Sequence, residues 1–339
     1  MNRASPPSKP LGFGVLGCAD IAWRRTVPAL LAHPGVRLVA SASRTPDKAR
    51  RFADRFGGEA LTGYGQLLAR PDVDAVYLPL PAMLQAHWIG LALDAGKHVF
   101  AEKPLSADRA DTERLFRTAR ERGLVLRENT MFLHHSQHAA VTRLVEDGAI
   151  GELRGFSSTF TIPPRPPEDI RNRADLGGGA LLDIAFYPVR AALRFLGHEL
   201  RVAGATLRTE KEGVVRSGSA LLVTPDGVPA QLAFGMEHSY RSEYAIFGSG
   251  GSLSLDRAFT PAADWRPSLH LCRGNAREVI ALPSDDQFAN IVDAFVTSVA
   301  ALAPGAPGAS ADHIAAEANS IQTAGLIDEV AAVAVRTDV

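Results

Sequence analysis

Cysteine, lysine and long apolar runs are all scarce in this 339-residue chain. With only Cys18 and Cys272 available, no disulfide framework is expected, and a reducing cytoplasm fits. No apolar run reaches the roughly 18 residues that a membrane helix needs. The opening decapeptide MNRASPPSKP has no apolar core of the signal-peptide kind, so neither export nor membrane insertion is expected. A surplus of one charge is missing too: 36 basic residues face 37 acidic ones, for a formal net charge of -1. Nucleic-acid and membrane-surface partners call for a basic excess on a domain, so both are excluded as expectations. Among the basic residues only five are lysine (Lys9, Lys48, Lys97, Lys103 and Lys211). If an arginine-favouring codon bias lies behind the scarcity, each surviving lysine merits a reason. What is abundant is ordinary for a globular chain, 46% apolar and 22% charged residues, and the length suits one large or two ordinary domains with cores of their own.

The first 130 residues alternate strand and helix. Apolar strands are expected over 11–17, 36–41, 74–78, 97–101 and 124–127. Helices are expected over 20–32, 46–56, 83–95 and 106–122. This alternation predicts βαβ units around a parallel sheet, whose strands present ligand sites at their carboxyl ends. Beyond about residue 150, strand-like stretches follow one another, near 153–162, 201–210, 217–224, 229–237, 243–247 and 251–255, which predicts a largely antiparallel sheet. Helices are expected at 180–196, 285–302 and 311–334. The fold class is therefore α/β plus α+β, with a nucleotide-binding domain over 1–130 and a substrate-binding and oligomerisation domain over 131–339.

Three motifs carry chemistry. The first, Gly17-Cys18-Ala19-Asp20-Ile21-Ala22, is G-x-A-x-x-A at a strand–helix junction. It matches the dinucleotide pattern with alanine at the second glycine. Gly17 allows the tight turn, Ala19 allows close backbone approach to a pyrophosphate, and the helix start offers N–H groups to the anion. An ordinary tight turn is the bland alternative, and the flanking strand and helix weigh against it. The second strand then ends in Ala42-Ser43-Arg44-Thr45, with no acid before Asp47. An NAD site usually places an acid there for the ribose 2′-hydroxyl. Arg44 and Ser43, with Lys48 one turn on, suit a 2′-phosphate instead, so NADP(H) is the expected cofactor.

The second motif is Glu102-Lys103-Pro104, directly after a strand. A lysine beside a nicotinamide can hold a substrate oxygen and stabilise charge that develops on it, although a surface lysine is the bland alternative. The third is GGGALLD-x-x-x-Y, residues 177–187. Asp183 and Tyr187 stand four apart, which places both on one face of the expected helix. A tyrosine hydroxyl near a cation can serve as a proton donor; a packed tyrosine beside a solvated acid is the plain alternative.

Together these motifs resemble the Gfo/Idh/MocA oxidoreductases, from about residue 11 to 330. The stretches 128–138 (ENTMFLHHSQH), 240–248 (YRSEYAIFG) and 256–261 (DRAFTP) point within it to the branch of C-3 ketoreductases acting on dTDP-deoxysugars in antibiotic pathways. The resemblance implies a Rossmann domain, an open-faced C-terminal sheet and a catalytic Lys103. The family usually carries D-x-x-x-H where this chain has Asp183 and Tyr187, so a histidine-centred relay does not carry over. It also commonly has histidine in P-x-x-x-H where this chain has Gln85, with His87 two residues on. The implied mechanism uses NADPH as hydride donor to C-3 of a keto-deoxyhexose. Lys103 polarises the carbonyl, Tyr187 or Lys103 supplies the proton, and Asp183 orients the sugar or the lysine.

Cofactor contacts are expected from Gly17, Cys18, Ala19, Asp20, Ile21, Ser43, Arg44, Lys48, Leu80, Gln85, Glu102 and Lys103. Substrate contacts are expected from His135, Arg165, Arg171, Asp183, Tyr187 and Tyr240. Arg173 joins Arg165 and Arg171 as a candidate for a diphosphate, and Phe259 joins Tyr240 as a candidate for stacking on a base. His134, His135 and His138 invite a metal reading, but no cysteine or acid cluster accompanies them, and no metal is expected. Two other functions stay open: a dehydrogenase of free sugars or polyols, which needs no diphosphate arginines, and a non-catalytic NADP-binding regulator, which needs none of Lys103, Asp183 and Tyr187. An open-faced sheet leaves one apolar face uncovered, which further predicts a homodimer or homotetramer packed through those sheets.

Overall fold

The computed structural model describes residues 9–210, 212–303, 306 and 308–338. By packing, the chain divides into two units. The first holds residues up to Ser106, Ala110–Met131 and Phe288–Ser320. The second holds Ala107–Arg109, Phe132–Gln287 and residues from Ile321 onward. The stretch Phe288–Ser320, inside the expected second domain, thus groups with the first unit. Lys211, expected in a hairpin turn, lies outside the described residues.

The first unit begins with β1 (Leu11–Leu16), α1 (Val27–Ala32), β2 (Val36–Ser43), α2 (Pro46–Phe56), β3 (Glu59–Thr62) and α3 (Tyr64–Leu68). It continues through β4 (Ala75–Leu78), α4 (Ala82–Asp94), β5 (His98–Ala101), α5 (Arg109–Glu121) and β6 (Leu126–Glu128). Its sheet has the order β3-β2-β1-β4-β5-β6, and every pair is parallel. This is the doubly wound Rossmann order, with the switch point beside β1. β4 is buried at all four positions, as a parallel strand covered on both faces must be.

Sequence reading misses β3 and α3. β3 spans four mixed residues between Gly57-Gly58 and Gly63, too short for a period to show. The helix expected over 20–32 is present along that whole stretch but is not regular. It opens with a π-helical turn, Ala22–Thr26, closed by the Val27 N–H donating to the Ala22 carbonyl. Pro28 is the cause: it has no N–H for the Arg24 carbonyl, and the preceding turn widens.

The second unit adds α6 (Ser136–Glu146), β7 (Leu153–Thr161), α7 (Ala180–Asp183), α8 (Phe186–Leu196), β8 (Arg201–Thr209) and β9 (Val215–Val223). Then come β10 (Pro229–Gly235), β11 (Arg241–Gly248), β12 (Ser252–Asp256), β13 (Ser268–Arg273) and β14 (Ala276–Ala281). The helices α9 (Gln287–Ala301) and α10 (Ala311–Val333) precede the last strand, β15 (Val335–Asp338). The nine-stranded sheet runs β14-β13-β12-β11-β7-β10-β9-β8-β15. Only β7–β10 and β8–β15 pair in parallel, so the sheet is mostly antiparallel, as expected.

The helix expected over 180–196 is broken. α7 ends at Asp183, and α8 starts at Phe186 with a bend of 41°. Pro188 cannot donate to the Ile184 carbonyl, which instead accepts from the Tyr187 N–H at 3.2 Å. Asp183 and Tyr187 therefore do not share one face of a continuous helix, which corrects the expectation drawn from their spacing. α8 packs on β7 and β10, burying Phe156, Phe160 and Leu232. The other sheet face is largely polar, carrying Thr159, Thr206, Arg208, Ser217 and Ser219. Its apolar residues, such as Leu221 and Phe247, are exposed singly, so the expected uncovered apolar face is mainly hydroxyl-lined.

Candidate active site

In the first unit the site is assembled at the carboxyl ends of β1, β2, β4 and β5. Gly17 follows β1 with φ +121°, a left-handed value that favours glycine. A Cβ there would stand 2.8 Å from Leu80 Cδ2, so Leu80 closes on the turn only because residue 17 has no side chain. Cys18 Sγ lies 3.8 Å from the Ala42 carbonyl. Burial pushes its thiol up to about 11, against the opposing pull of Lys48, the direction opposite to that of an activated thiolate.

At the end of β2, Ser43 is buried and its Oγ accepts from the Thr45 N–H at 3.2 Å, while Arg44 and Lys48 are exposed. Arg44 hydrogen-bonds Tyr64, whose hydroxyl burial nonetheless holds above its usual range. Asp47, the first acid after the strand, pairs with Arg50. Among the described residues no ion pair joins Arg44 to an acid, which leaves it to a 2′-phosphate.

Lys103 follows β5, and its backbone is braced from both sides. Gln85, on α4 and fully buried, donates from Nε2 to the Glu102 carbonyl at 2.7 Å and to the Pro104 carbonyl at 3.0 Å. Glu102 itself turns inward. Its Oε1 accepts from Tyr77 Oη and from Asn129 Nδ2, both at 2.6 Å, and Tyr77 Oη also contacts Thr26 Oγ1 at 2.9 Å. Burial raises the Glu102 carboxyl, while the Tyr77 and Asn129 donors and the Lys103 charge pull it back. Glu128 fixes the next turn, accepting from the Leu105 N–H at 3.1 Å and from Ser320 Oγ at 2.7 Å. Sequence reading assigns Gln85 and Glu102 to the cofactor and does not foresee this network. Gln85 stands where the family's histidine would, which is the one signal that it serves the E-K-P turn.

Gln85 Oε1 and Asn129 Oδ1 remain buried acceptors with no partner among the described residues. With the side-chain-free turn at Gly17 and the acid-free end of β2, they fit a bound NADP: a pyrophosphate at the turn, a 2′-phosphate at Arg44, and carboxamide N–H groups for the acceptors. Lys97, by contrast, is a structural lysine. Its Nζ donates to the Arg70 and Val73 carbonyls, each at 2.7 Å, tying the entry of β4.

In the second unit, Tyr187 lies in the first turn of α8, 7% exposed. Its ring meets Phe160 at 4.8 Å, Phe132 and Phe259 at 5.5 Å and Phe186 at 5.9 Å between centroids. Such edge and tilted contacts lock the ring's direction. Phe259 is fully buried within this cluster, which removes it as a stacking partner for a base. Tyr240 is exposed and stays available.

The arginines expected at a diphosphate are all paired. Arg171 Nε donates to Asp183 at 2.5 Å and Nη1 to Asp169 at 3.1 Å. Arg165 meets Asp169 at 3.3 Å, and Arg173 meets Asp175 at 2.5 Å. The Asp183 charge is the main reason the Arg171 guanidinium is held above its usual range. Asp183 is therefore anchored by Arg171 at its own end of the glycine loop.

His135 is 1% exposed and caps α6, its Nδ1 accepting from the Gln137 N–H at 3.2 Å. His135 Nε2 has no partner among the described residues. His138 is buried, with Nδ1 2.9 Å from Tyr244 Oη, and burial lowers its imidazole to about 3. Among the described residues no group of three or more His, Cys, Asp or Glu side chains is placed to hold a metal. No single helix among them is long and apolar enough to cross a membrane.

Comparison with known proteins agrees with this geometry. Residues 11–130 match the Gfo/Idh/MocA family model described as an oxidoreductase with an NAD-binding Rossmann fold, and residues 138–254 match the Gfo/Idh/MocA C-terminal domain. A dTDP-3,4-didehydro-2,6-dideoxy-alpha-D-glucose 3-reductase of Streptomyces antibioticus is 55% identical over 329 residues, covering 97% of this chain and 98% of that protein. A reductase of the same name from Actinomadura kijaniata is 56% identical over 293 residues, 86% of this chain and 88% of the relative. The crystal structure of a 3-ketoreductase from Actinomadura kijaniata in complex with NADP and TDP-benzene superposes with a TM-score of 0.93 at 52% identity, covering 98% of this chain and 100% of the other. The chain belongs to the Gfo/Idh/MocA oxidoreductase family.

Proposed function

We propose that this chain is an NADPH-dependent ketoreductase that reduces the C-3 keto group of a dTDP-linked keto-deoxysugar in deoxysugar biosynthesis. The observation that carries the reading is the E-K-P lysine, braced at the carboxyl end of β5, in a chain 55% identical to a dTDP-sugar 3-reductase. NADPH, when bound, supplies the hydride. Gly17, Cys18, Ala19, Asp20 and Ile21 would hold its pyrophosphate at the first turn. Ser43, Arg44 and Lys48 would hold the 2′-phosphate, and Leu80, Gln85 and Glu102 would shape the nicotinamide side.

Lys103 donates a hydrogen bond to the substrate carbonyl oxygen and passes it the proton as negative charge builds there. We assign the proton to Lys103 because an ammonium both neutralises an alkoxide and protonates it. Tyr187, with its ring direction fixed by four phenylalanines, donates to the sugar. Asp183, anchored by Arg171, orients the sugar, and His135 offers Nε2 to a hydroxyl. Retention of Lys103, Asp183 and Tyr187 together weighs against a non-catalytic regulator.

We assign the cofactor role to residues 1–130 and the substrate and assembly role to 131–339, with the stretch Phe288–Ser320 of the latter packing in the first unit. Two free thiols, Cys18 and Cys272, suit a cytoplasmic setting. The hydroxyl-lined sheet face with exposed Leu221 and Phe247 suits a homodimer or homotetramer. The test of regiochemistry is reduction of the dTDP-3,4-didehydro sugar with NADPH deuterated at C-4. The expected product carries its deuterium on C-3 of the sugar. Deuterium on C-4 of the sugar would overturn the assignment.

A further inference from the structure

We propose that Glu102 is a positioning residue for the reduction: its inward-turned carboxylate is the counter-charge that holds Lys103 in place as an ammonium. The proposal rests on the ketoreductase reading above for the role of Lys103 and adds what keeps that lysine charged.

Hydrogen bonds alone do not call for a carboxylate at residue 102. Its Oε1 accepts from Tyr77 Oη and Asn129 Nδ2, both at 2.6 Å, and the oxygen of a glutamine amide can accept from the same two donors. Tyr77 is fully buried and Asn129 is 1% exposed, so a charge here is taken out of water, where an amide costs less. A charge kept under that penalty calls for an opposite charge to balance it. Lys103 is the cation that acts on Glu102, and its backbone N–H donates to the same side chain. One carboxylate thus fixes the main chain of the lysine and balances its ammonium.

The surroundings hold the carboxyl ionised. Burial raises it, and the Tyr77 and Asn129 donors and the Lys103 charge oppose that rise. Burial and the charge of Glu102 keep the Tyr77 hydroxyl well above its usual range, so it stays a donor. Tyr77 Oη also meets Thr26 Oγ1 at 2.9 Å, and Thr26 is the last residue of the π-helical turn Ala22–Thr26. The irregular turn therefore serves this network, as such turns often serve functional sites.

The backbone leaves little slack. The Glu102 N–H donates to the Leu78 carbonyl at 2.9 Å, and the Asn129 N–H to the Ala101 carbonyl at 2.7 Å. In the first unit the carboxyl is thus faced by Tyr77 from β4, Asn129 beyond β6 and Lys103 itself. Gln85, from α4, is neutral and takes the carbonyls. Glu128, on the neighbouring strand, is turned to the Leu105 N–H and Ser320. An opposite charge so placed favours the ammonium, and its removal makes Lys103 give up its proton at lower pH.

The test follows kcat/KM against pH, with NADPH and the dTDP-3,4-didehydro sugar, in wild type, Glu102→Gln and Tyr77→Phe. Glu102→Gln keeps the acceptor and loses the charge, and its alkaline limb is expected about one pH unit or more below that of wild type. Tyr77→Phe loses a donor and keeps the charge, because Glu102 stays ionised at alkaline pH; it is expected to lower the rate and leave the limb in place. An unmoved limb in Glu102→Gln, or a limb moved as far by Tyr77→Phe, overturns the proposal, since a structural role alone gives either. A second measurement needs no change at Glu102. The five lysines of the wild-type chain are reductively methylated with 13C-formaldehyde and titrated by NMR without cofactor, and Lys103→Ala identifies the Lys103 signal. Titration of Lys103 at or above about pH 9 is expected, and titration below that overturns the proposal. Failure of the wild type to reduce the dTDP-linked sugar, with Lys103 still titrating in the expected range, overturns the ketoreductase reading and leaves the counter-charge standing.

Discussion

The two units hold their functional side chains by different means. In the first, Lys103 is positioned through its backbone: Gln85 spans the carbonyls on either side of it, and a buried chain of Thr26, Tyr77, Glu102 and Asn129 anchors the preceding residue. In the second, Tyr187 is held by ring packing and Asp183 by an ion pair to Arg171. A hydrogen-bonded brace tolerates little change, because removing one donor leaves buried carbonyls unpaired. A ring cluster and a partly exposed ion pair are more forgiving. Damage in the first unit should therefore cost more activity than equivalent damage in the second.

The largest effect is expected at Lys103. Lys103→Ala should lower kcat by about a thousandfold, whereas Tyr187→Phe, which keeps the ring and loses only the hydroxyl, should lower it by about tenfold. Steady-state NADPH oxidation measures both, and equal losses would move the proton donor to Tyr187. Next comes Gln85→Leu, which touches no reacting atom. It should lower kcat by roughly ten- to a hundredfold through misplacement of the lysine, with a smaller change in KM, and Gln85→His should recover part of the loss. If Gln85→Leu changes only thermal stability, the brace is structural alone.

These two residues also show how far the sequence could be read. Lys103 was legible because a tripeptide at a strand end is a local pattern. The function of Gln85 was not, because its partners are backbone carbonyls 17 and 19 residues away and backbone carbonyls leave no trace in residue identity. The Rossmann order followed from alternation of strand and helix, yet β3 escaped between its glycines. The β13–β14 hairpin does carry a signal in the sequence, since Leu269 and Leu271 alternate inward ahead of Gly274. In the second unit the break between α7 and α8 was readable in Pro188. The pairing of every diphosphate-candidate arginine with an acid was not, because the acids sit close in sequence and look like ordinary loop charges.

A smaller effect is expected at the cofactor end of the first unit. Arg44→Ala should reduce the preference for NADPH over NADH by about tenfold, the loss of one charged hydrogen-bonding partner, read as the ratio of kcat/KM values. An unchanged ratio would shift the 2′-phosphate to Lys48.

The smallest effect concerns pH. Burial lowers His98 in the first unit to about 4 and His138 in the second to about 3. Both are held neutral in the fold, so below the ordinary value of 6.5 the unfolded chain takes up protons that the folded chain refuses. Their contribution is full above pH 6.5 and is lost as pH falls toward 4 and 3. Tm should fall by a few degrees between pH 7 and 5, on the order expected for about 1–2 kcal/mol in domains of this size. His138→Gln should flatten part of that slope. A wild-type Tm that rises on acidification would show that other groups dominate.

The most direct measurement is NADPH oxidation with the dTDP-3,4-didehydro-2,6-dideoxy sugar set beside the same sugar freed of its nucleotide and beside a set of common aldoses and polyols. Rapid turnover of the dTDP-linked ketone, with rates at least a hundredfold lower on every free sugar, is the predicted result, since remote binding energy from the nucleotide is drawn into the reduction. Equal or faster turnover of a free sugar would contradict a ketoreductase built for a nucleotide-linked substrate.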